Sequence, residues 1–255
     1  MIDRYRWNLH VHSTRSGCAK PDMVPADIMA EAARLGYEAI AITDHVDLGS
    51  EAELARLAAN KAELPRLASP VRLLVGVETT VLSPNRVSLP REAARGLDFV
   101  MASANHYHLD CVEQPPSLRP ADAAAHCLAM TEGAIESGYV DVIAHPLLRG
   151  VVPLPAPELI RGYWQAGVSR MLDKAAAAGV GLELNPGMVA RQPEFFAWLI
   201  ALAQTAGARF TLGTDAHRLV NMPYPEAMPP AGLAALGLRA ADLLRPEELA
   251  GRRSS

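Results

Sequence analysis

Seven short apolar segments of this chain each stop on a side chain able to bind a metal ion, or just before one. In NLHVH, His10 and His12 are two apart. Alternate strand residues point the same way, so both imidazoles can face one ion. AIAITDH ends at His45, LLVGVE at Glu78, FVMASANHYH at His106 and His108, and VDVIAH at His145. VGLELN closes on Glu183 and Asn185, and FTLGTDAH on Asp215 and His217. Ends drawn from all over the sequence can meet only if the strands lie parallel and share one rim. The pattern predicts a binding site there.

Between these segments the periodicity turns helical. DIMAEAARLGY places Ile28, Ala32 and Leu35 on one face and stops at Gly36, which suits a left-handed helix terminus. EAELARLAANKAEL, DAAAHCLAMTEGAIESG, VSRMLDKAAAAG and EFFAWLIALAQTAG precede the third, fifth, sixth and seventh strands. Alternating strand and helix predicts a parallel sheet with right-handed crossovers. The expected class is α/β. Polar groups at every strand end favour a closed TIM-like barrel over an open sheet, whose ligand would sit at one switch point. Seven strands are counted, one short of the usual eight. NMPYPEAMPP reads as a loop before a short terminal helix, and the pocket would be shaped by loops 14 to 24, 107 to 120, 146 to 165 and 186 to 193.

No Ser/Gly-rich linker or charge run divides the 255 residues, so one domain spanning 1–255 is expected. Net charge is −4 and the basic residues are scattered, so neither a nucleic-acid groove nor a membrane-binding face is indicated. Cys18, Cys111 and Cys127 have the spacing of neither a disulfide framework nor a zinc knuckle. With no apolar leader or membrane-length apolar run, a cytoplasmic enzyme is expected. Oligomeric state stays open.

A lone histidine is more often packed or solvated than a ligand. Here seven of the eight histidines fall at or just beyond a strand end; His126, inside a helix, keeps the bland reading. Glu78 closes an otherwise apolar strand, where a buried unpaired carboxylate would be costly and a metal partner accounts for it. Asp44 and His45 would face opposite sides of an extended strand, leaving His45 as the ligand. His106 is favoured as a ligand over His108, which reads as a substrate-facing or ligand-supporting group. Glu183 reads as an acceptor orienting a histidine, and Asn185 as a turn former before Pro186.

HVHSTRSG, AITDH, GVE, SANH, IAHP and GTDAH, in this order and with these gaps, resemble the PHP (polymerase and histidinol phosphatase) family of metal-dependent phosphoesterases. The resemblance runs from about Asn8 to His217. It implies a distorted (βα)7 barrel with two or three divalent ions, zinc, manganese or iron, at the C-terminal rim. By position His10, His12, Glu78 and Asp215 would hold the first ion. Glu78 would bridge to a second bound by His106 and His145, and His45 with His217 would hold a third. Where the family commonly offers an Asp or His after the HxH motif, this chain has Gly17 and Cys18. Glycine cannot ligate, whereas a thiolate can and favours softer ions such as zinc.

Two cations sharing a carboxylate lie roughly 3.5 to 4 Å apart and hold a bridging water whose pKa falls from about 15.7 toward 7. The expected reaction is hydrolysis of a small phosphomonoester by that hydroxide, with Glu78, Asp215, His108 and His217 in the catalytic group and His108, His217 or a bound water protonating the leaving alcohol. Lys20, Arg149, Arg191, Arg218 and His108 are candidates to receive the phosphate, each in a loop after a strand. The alternatives are a metal-dependent amidohydrolase, with Glu78 replacing the usual carboxylated lysine, and a non-catalytic metal-binding module. Histidinol phosphate, nucleotides, sugar phosphates and phosphotyrosine peptides all fit the motif set.

Overall fold

The computed structural model describes residues 4–147 and 156–251. Strands and helices alternate as the sequence pattern requires. The strands are β1 (Trp7–Val11), β2 (Ala39–Ile42), β3 (His45–Val46), β4 (Arg72–Val75), β5 (Glu78–Ser83), β6 (Arg86–Val87), β7 (Met101–Ser103), β8 (Val142–Ile143), β9 (Gly181–Leu184) and β10 (Phe210–Leu212). The helices are α1 (Pro25–Arg34), α2 (Glu51–Glu63), α3 (Pro120–Glu136), α4 (Ala156–Ala166), α5 (Val168–Ala178), α6 (Pro186–Arg191), α7 (Pro193–Ala206), α8 (Pro230–Ala235) and α9 (Pro246–Gly251). Among the described residues no helix is long and apolar enough to cross a membrane.

The barrel is a seven-membered ring assembled from two hydrogen-bonded sheets. β1, β2 and β4 form one; β3, β5, β7, β8, β9 and β10 form the other, all parallel, with β6 folding back on β5 as a hairpin. β2 runs on into β3 and β4 into β5, and the gaps are spanned by Gly76 N–H to Ile42 O at 2.9 Å and Glu78 N–H to Thr43 O at 3.2 Å. The remaining seam, between β1 and the end of β10, is closed by Asp215 N–H to His10 O at 2.9 Å and His12 N–H to Ala216 O at 3.0 Å.

Strand alternation sorts the core into two layers. Ile40, Ile42, Val100, Ile143, Leu182 and Phe210 pack outward against the helices, with Ile28 and Ala32 of α1 and Leu199 and Ile200 of α7. Leu9, Ala39, Ala41, Leu74, Phe99, Met101, Val142 and Ala144 meet inside the ring, plugged by Leu244 and Leu249. Space on the β9 side is tight: a Cβ on Gly181 would lie 2.6 Å from Leu244 Cδ1. In β1 the register slips by one residue between Asn8 and Val11. Such a bulge re-aims side chains, and here it lets successive residues Leu9 and His10 both serve the interior.

Two stretches expected as loops contain helices. Segment 146 to 165 includes most of α4, and 186 to 193 includes α6. Asn185 caps α6, its side chain accepting from Gly187 and Met188 N–H, and Pro186 takes the first helical position, where its missing N–H costs nothing. Arg191 therefore stands in the last turn of a helix rather than in a loop. Arg149 lies outside the described residues. α1 ends as expected, with Gly36 at φ +73°.

Candidate metal centre

Glu78 begins β5 and is buried, and its two carboxylate oxygens face different neighbours. Oε2 lies 3.2 Å from His10 Nε2, 3.3 Å from His12 Nε2 and 3.3 Å from His45 Nδ1. Oε1 lies 3.0 Å from His145 Nε2 and 3.6 Å from His106 Nε2. Asp215 Oδ1, from the far side of the seam, is 3.0 Å from His12 Nε2 and 3.4 Å from His10 Nε2. Among the described residues donor atoms converge in four groups: His10, His12, Glu78 and Asp215; Glu78, His106 and His145; His12, Cys18, His45 and His217; and His45, Asp47 and His106.

The outer nitrogens of several of these imidazoles are held by acceptors, which turns the inner ones to the centre. His10 Nδ1 is 2.8 Å from Glu183 Oε1. A carboxylate only accepts, so Nδ1 carries a proton and Nε2 is the nitrogen turned to the centre. Glu183 Oε2 also takes the backbone N–H of His145 at 2.7 Å, so one buried carboxylate ties down two histidines where the sequence reading gave it one. Thr80 Oγ1 donates to Asp47 Oδ1 at 2.6 Å and must then accept from His106 Nδ1 at 2.9 Å. His217 Nδ1 donates to Asp215 O at 2.9 Å.

These residues fit a cation. His10 Nε2 and His12 Nε2 approach to 3.0 Å while both face carboxylate oxygens. Two imidazole nitrogens and two carboxylate oxygens thus gather about one point, the mixed nitrogen and oxygen donor set that a divalent ion takes. His45 Nδ1 is buried without a hydrogen-bond partner. The electrostatics ask for the same charge. Burial lowers the pKa of His10, but Glu183, Glu78 and Asp215 outweigh it and hold it well above the ordinary value. Burial likewise raises the Glu78 carboxyl, yet His10 and His45 hold it well below.

Local backbone serves the same rim. Asp215 has φ +56° and His145 φ +29°, both in the left-handed region that residues with a Cβ rarely adopt. A side chain on Gly213 would collide with Glu183 Oε1 and His10 Cβ, which accounts for glycine before Thr214 and Asp215. Asp44 points away from the centre, accepting from Ser13 N–H at 2.6 Å, Ser13 Oγ at 2.7 Å and Asn60 Nδ2 at 2.7 Å. Of that pair it is His45 whose ring faces Glu78.

Other candidates sit farther out. His108 is exposed, its ring 5.2 Å from that of His106, and it belongs to none of the converging groups. Burial and the neighbouring His106 lower its pKa. Lys20, Arg191 and Arg218 are exposed, with no ion-pair partner given by another described residue. Lys20 is on the loop tied to the third group through its N–H to His217 O at 2.9 Å. His126 proves more than a packed residue: it bridges Tyr107 Oη at 2.9 Å and Glu113 Oε1 at 3.1 Å, fastening the loop that carries His106 to α3.

Asp47, Thr80 and Ser16 were not singled out from the sequence. Asp47 groups with His45 and His106, and its position two residues after His45 repeats the His10/His12 spacing that should have flagged it. Residues 8–187 match the PHP domain. The chain belongs to the PHP family. Among curated proteins this PHP chain is 30% identical over 214 residues to a "Probable phosphatase" of Syntrophotalea carbinolica, covering 82% of this chain and 79% of the relative. It is 29% identical over 210 residues to a "Probable phosphatase" of Acetivibrio thermocellus, covering 82% and 78%. Among solved structures, a chain of archaeal ribonuclease P with mature tRNA superimposes with a TM-score of 0.53 at 12% identity, covering 97% of this chain and 91% of that one. A Xaa-Pro dipeptidase with bound methionine gives 0.50 at 12% identity, covering 98% and 76%. Both are likenesses of fold alone.

Proposed function

We propose that this PHP chain is a metal-dependent phosphoesterase that hydrolyses small phosphomonoesters. The observation that carries the reading is the split carboxylate of Glu78, one oxygen turned to the first donor group and the other to the second. Ions held there would supply a water acidified toward neutral pH and positive charge against the phosphoryl oxygens. The chain's own part is to fix those positions. Glu183 and the Thr80–Asp47 pair hold His10 and His106 in one tautomer and one orientation, so little reorganises during reaction. His45 with His217 would hold a third ion nearer the exposed rim.

A phosphomonoester brings about two negative charges at neutral pH. Lys20, Arg191 and Arg218 are available to receive them without first breaking an ion pair. His108, with its lowered pKa, is largely neutral at pH 7 and suits hydrogen bonding to substrate better than protonating the leaving alcohol. The phosphatase names of the relatives support the same class. Lys61 is bound to Ala93 O and Arg95 O, Lys174 to Glu132 and Glu136, and Lys20 is exposed, so an amidohydrolase built on this centre would use Glu78 in place of the usual carboxylated lysine.

The test is a zinc- or manganese-loaded preparation assayed against a panel of phosphomonoesters and a panel of N-acyl amides. Phosphate release from at least one monoester, competitively inhibited by inorganic phosphate, is expected. Amide turnover with no phosphate release from any monoester would replace this reading with the amidohydrolase one.

A further inference from the structure

The donor groups are not chemically alike. The first offers two carboxylates and two imidazoles, the second a carboxylate and two imidazoles. The third, Cys18 with His12, His45 and His217, is the one converging group of described residues with sulfur and no carboxylate. His12 also faces Asp215 and Glu78, and His45 also faces Glu78, so Cys18 and His217 are the members that belong to this group alone.

Cys18 is put there by a built turn. Thr14–Ser16 form one turn of 3-10 helix capped by Ser13, and Gly17 follows at φ +82°. No atom would touch a Cβ on Gly17, so its left-handed backbone rather than lack of room calls for glycine. That reversal returns Cys18 toward the histidines. Ser16 Oγ accepts from the Cys18 thiol at 3.2 Å and from His45 N–H at 3.0 Å, tying the sulfur to the strand that carries a partner ligand. Backbone bonds from Lys20 N–H to His217 O and from Thr14 N–H to Met23 O, both 2.9 Å, pin the rest of the loop. Gly17, read from sequence as a departure from the family pattern, makes the turn that sets Cys18 beside His12, His45 and His217.

We infer that the third position is a thiolate-containing site selective for a soft divalent ion of the zinc class, and that the centre is heterometallic, with harder ions such as manganese or iron favoured at the two carboxylate-bearing positions. Thiolate favours zinc, whereas carboxylate-rich sets suit manganese. Cys18 supplies the only negative charge in its group, so a divalent ion there keeps net positive charge facing the rim. The inference rests on the metal-centre part of the proposed function and not on the choice of substrate, and its test reads no turnover.

Ion-free full-length protein is loaded with two equivalents of manganese and then one of zinc, and zinc-edge X-ray absorption is recorded. The expected result is one sulfur per zinc at about 2.3 Å beside nitrogens at about 2.0 to 2.1 Å. Cys18→Ser should remove the sulfur shell, Cys111→Ser should keep it, and Cys18→His should keep the zinc without sulfur. A second measurement uses the wild-type chain: one equivalent of zinc should slow iodoacetamide labelling of Cys18, located by peptide mapping, by about tenfold or more because the ion occupies the attacking lone pair, and manganese should not. Zinc with nitrogen and oxygen ligands only, a sulfur shell that survives in Cys18→Ser, or equal protection by both ions would overturn the inference.

Discussion

The lower and upper halves of the barrel interior are built on the same strands and do opposite things. Below, Leu9, Ala39, Leu74, Phe99 and Met101 exclude water and supply stability through apolar burial. Above, His10, His12, Glu78 and Glu183 are equally buried but polar. Taking such groups from water is costly unless each finds a partner. The lower half pays for the upper one. A seven-stranded ring also leaves little room: a side chain on Gly181 would press on Leu244 of the lower plug, and one on Gly213 on His10 and Glu183 above it.

The largest effect should come from breaking the upper half at its bridge. Glu78→Gln removes the shared charge, and activity should fall by more than the roughly 10- to 100-fold typical of losing a residue that only supports a ligand. Elemental analysis should show reduced metal at both the first and second groups. Full metal content and activity in that variant would remove the bridge from the account. In the lower half, Phe99→Ala should cost about 3 to 5 kcal/mol of stability by opening a cavity. Urea unfolding reads the loss, and metal per folded molecule should stay constant. If metal content falls in step with stability, the two halves are not separable.

Smaller changes probe the boundary. Gly213→Ala and Glu183→Gln should each weaken ion binding by roughly 10- to 100-fold, the first by displacing the His10–Glu183 pair and the second by loosening His10 and His145. Competition with a chelator measures both. The smallest effect is on thiol chemistry. Burial pushes the Cys127 thiol up to about 11, so at neutral pH it is almost wholly protonated. A thiol reagent should modify Cys18 and Cys111 in ion-free native protein and reach Cys127 only on unfolding.

The strand-end ligands were legible because each closes an apolar run with a residue type that such a run cannot bury unaided. Asp47 escaped notice because it comes after its strand's obvious candidate, and Thr80 because a threonine within a strand carries no signal of its own. α4 and α6 were hidden by prolines that read as loop, although Asn185-Pro186 is also how a helix begins. The β1 bulge is invisible in NLHVH, since HxH alternation looks the same with or without it. The role of His126 depends on partners 13 and 19 residues away, a relation that appears only once the chain is folded.

The seam of the barrel carries one more consequence. Asp215 and His10 are joined through their backbones where the last strand meets the first, and their side chains belong to the same donor group. An ion held between them is a reversible cross-link across a loop of about 200 residues, and the entropy such a link removes from the open chain grows with the logarithm of that length. Binding of the first ion and fastening of the two chain ends are then a single linked equilibrium. Withdrawing the ion should unlatch the barrel along this line before the lower plug gives way, and hydrogen exchange at the amides of His12 and Asp215 would register it first.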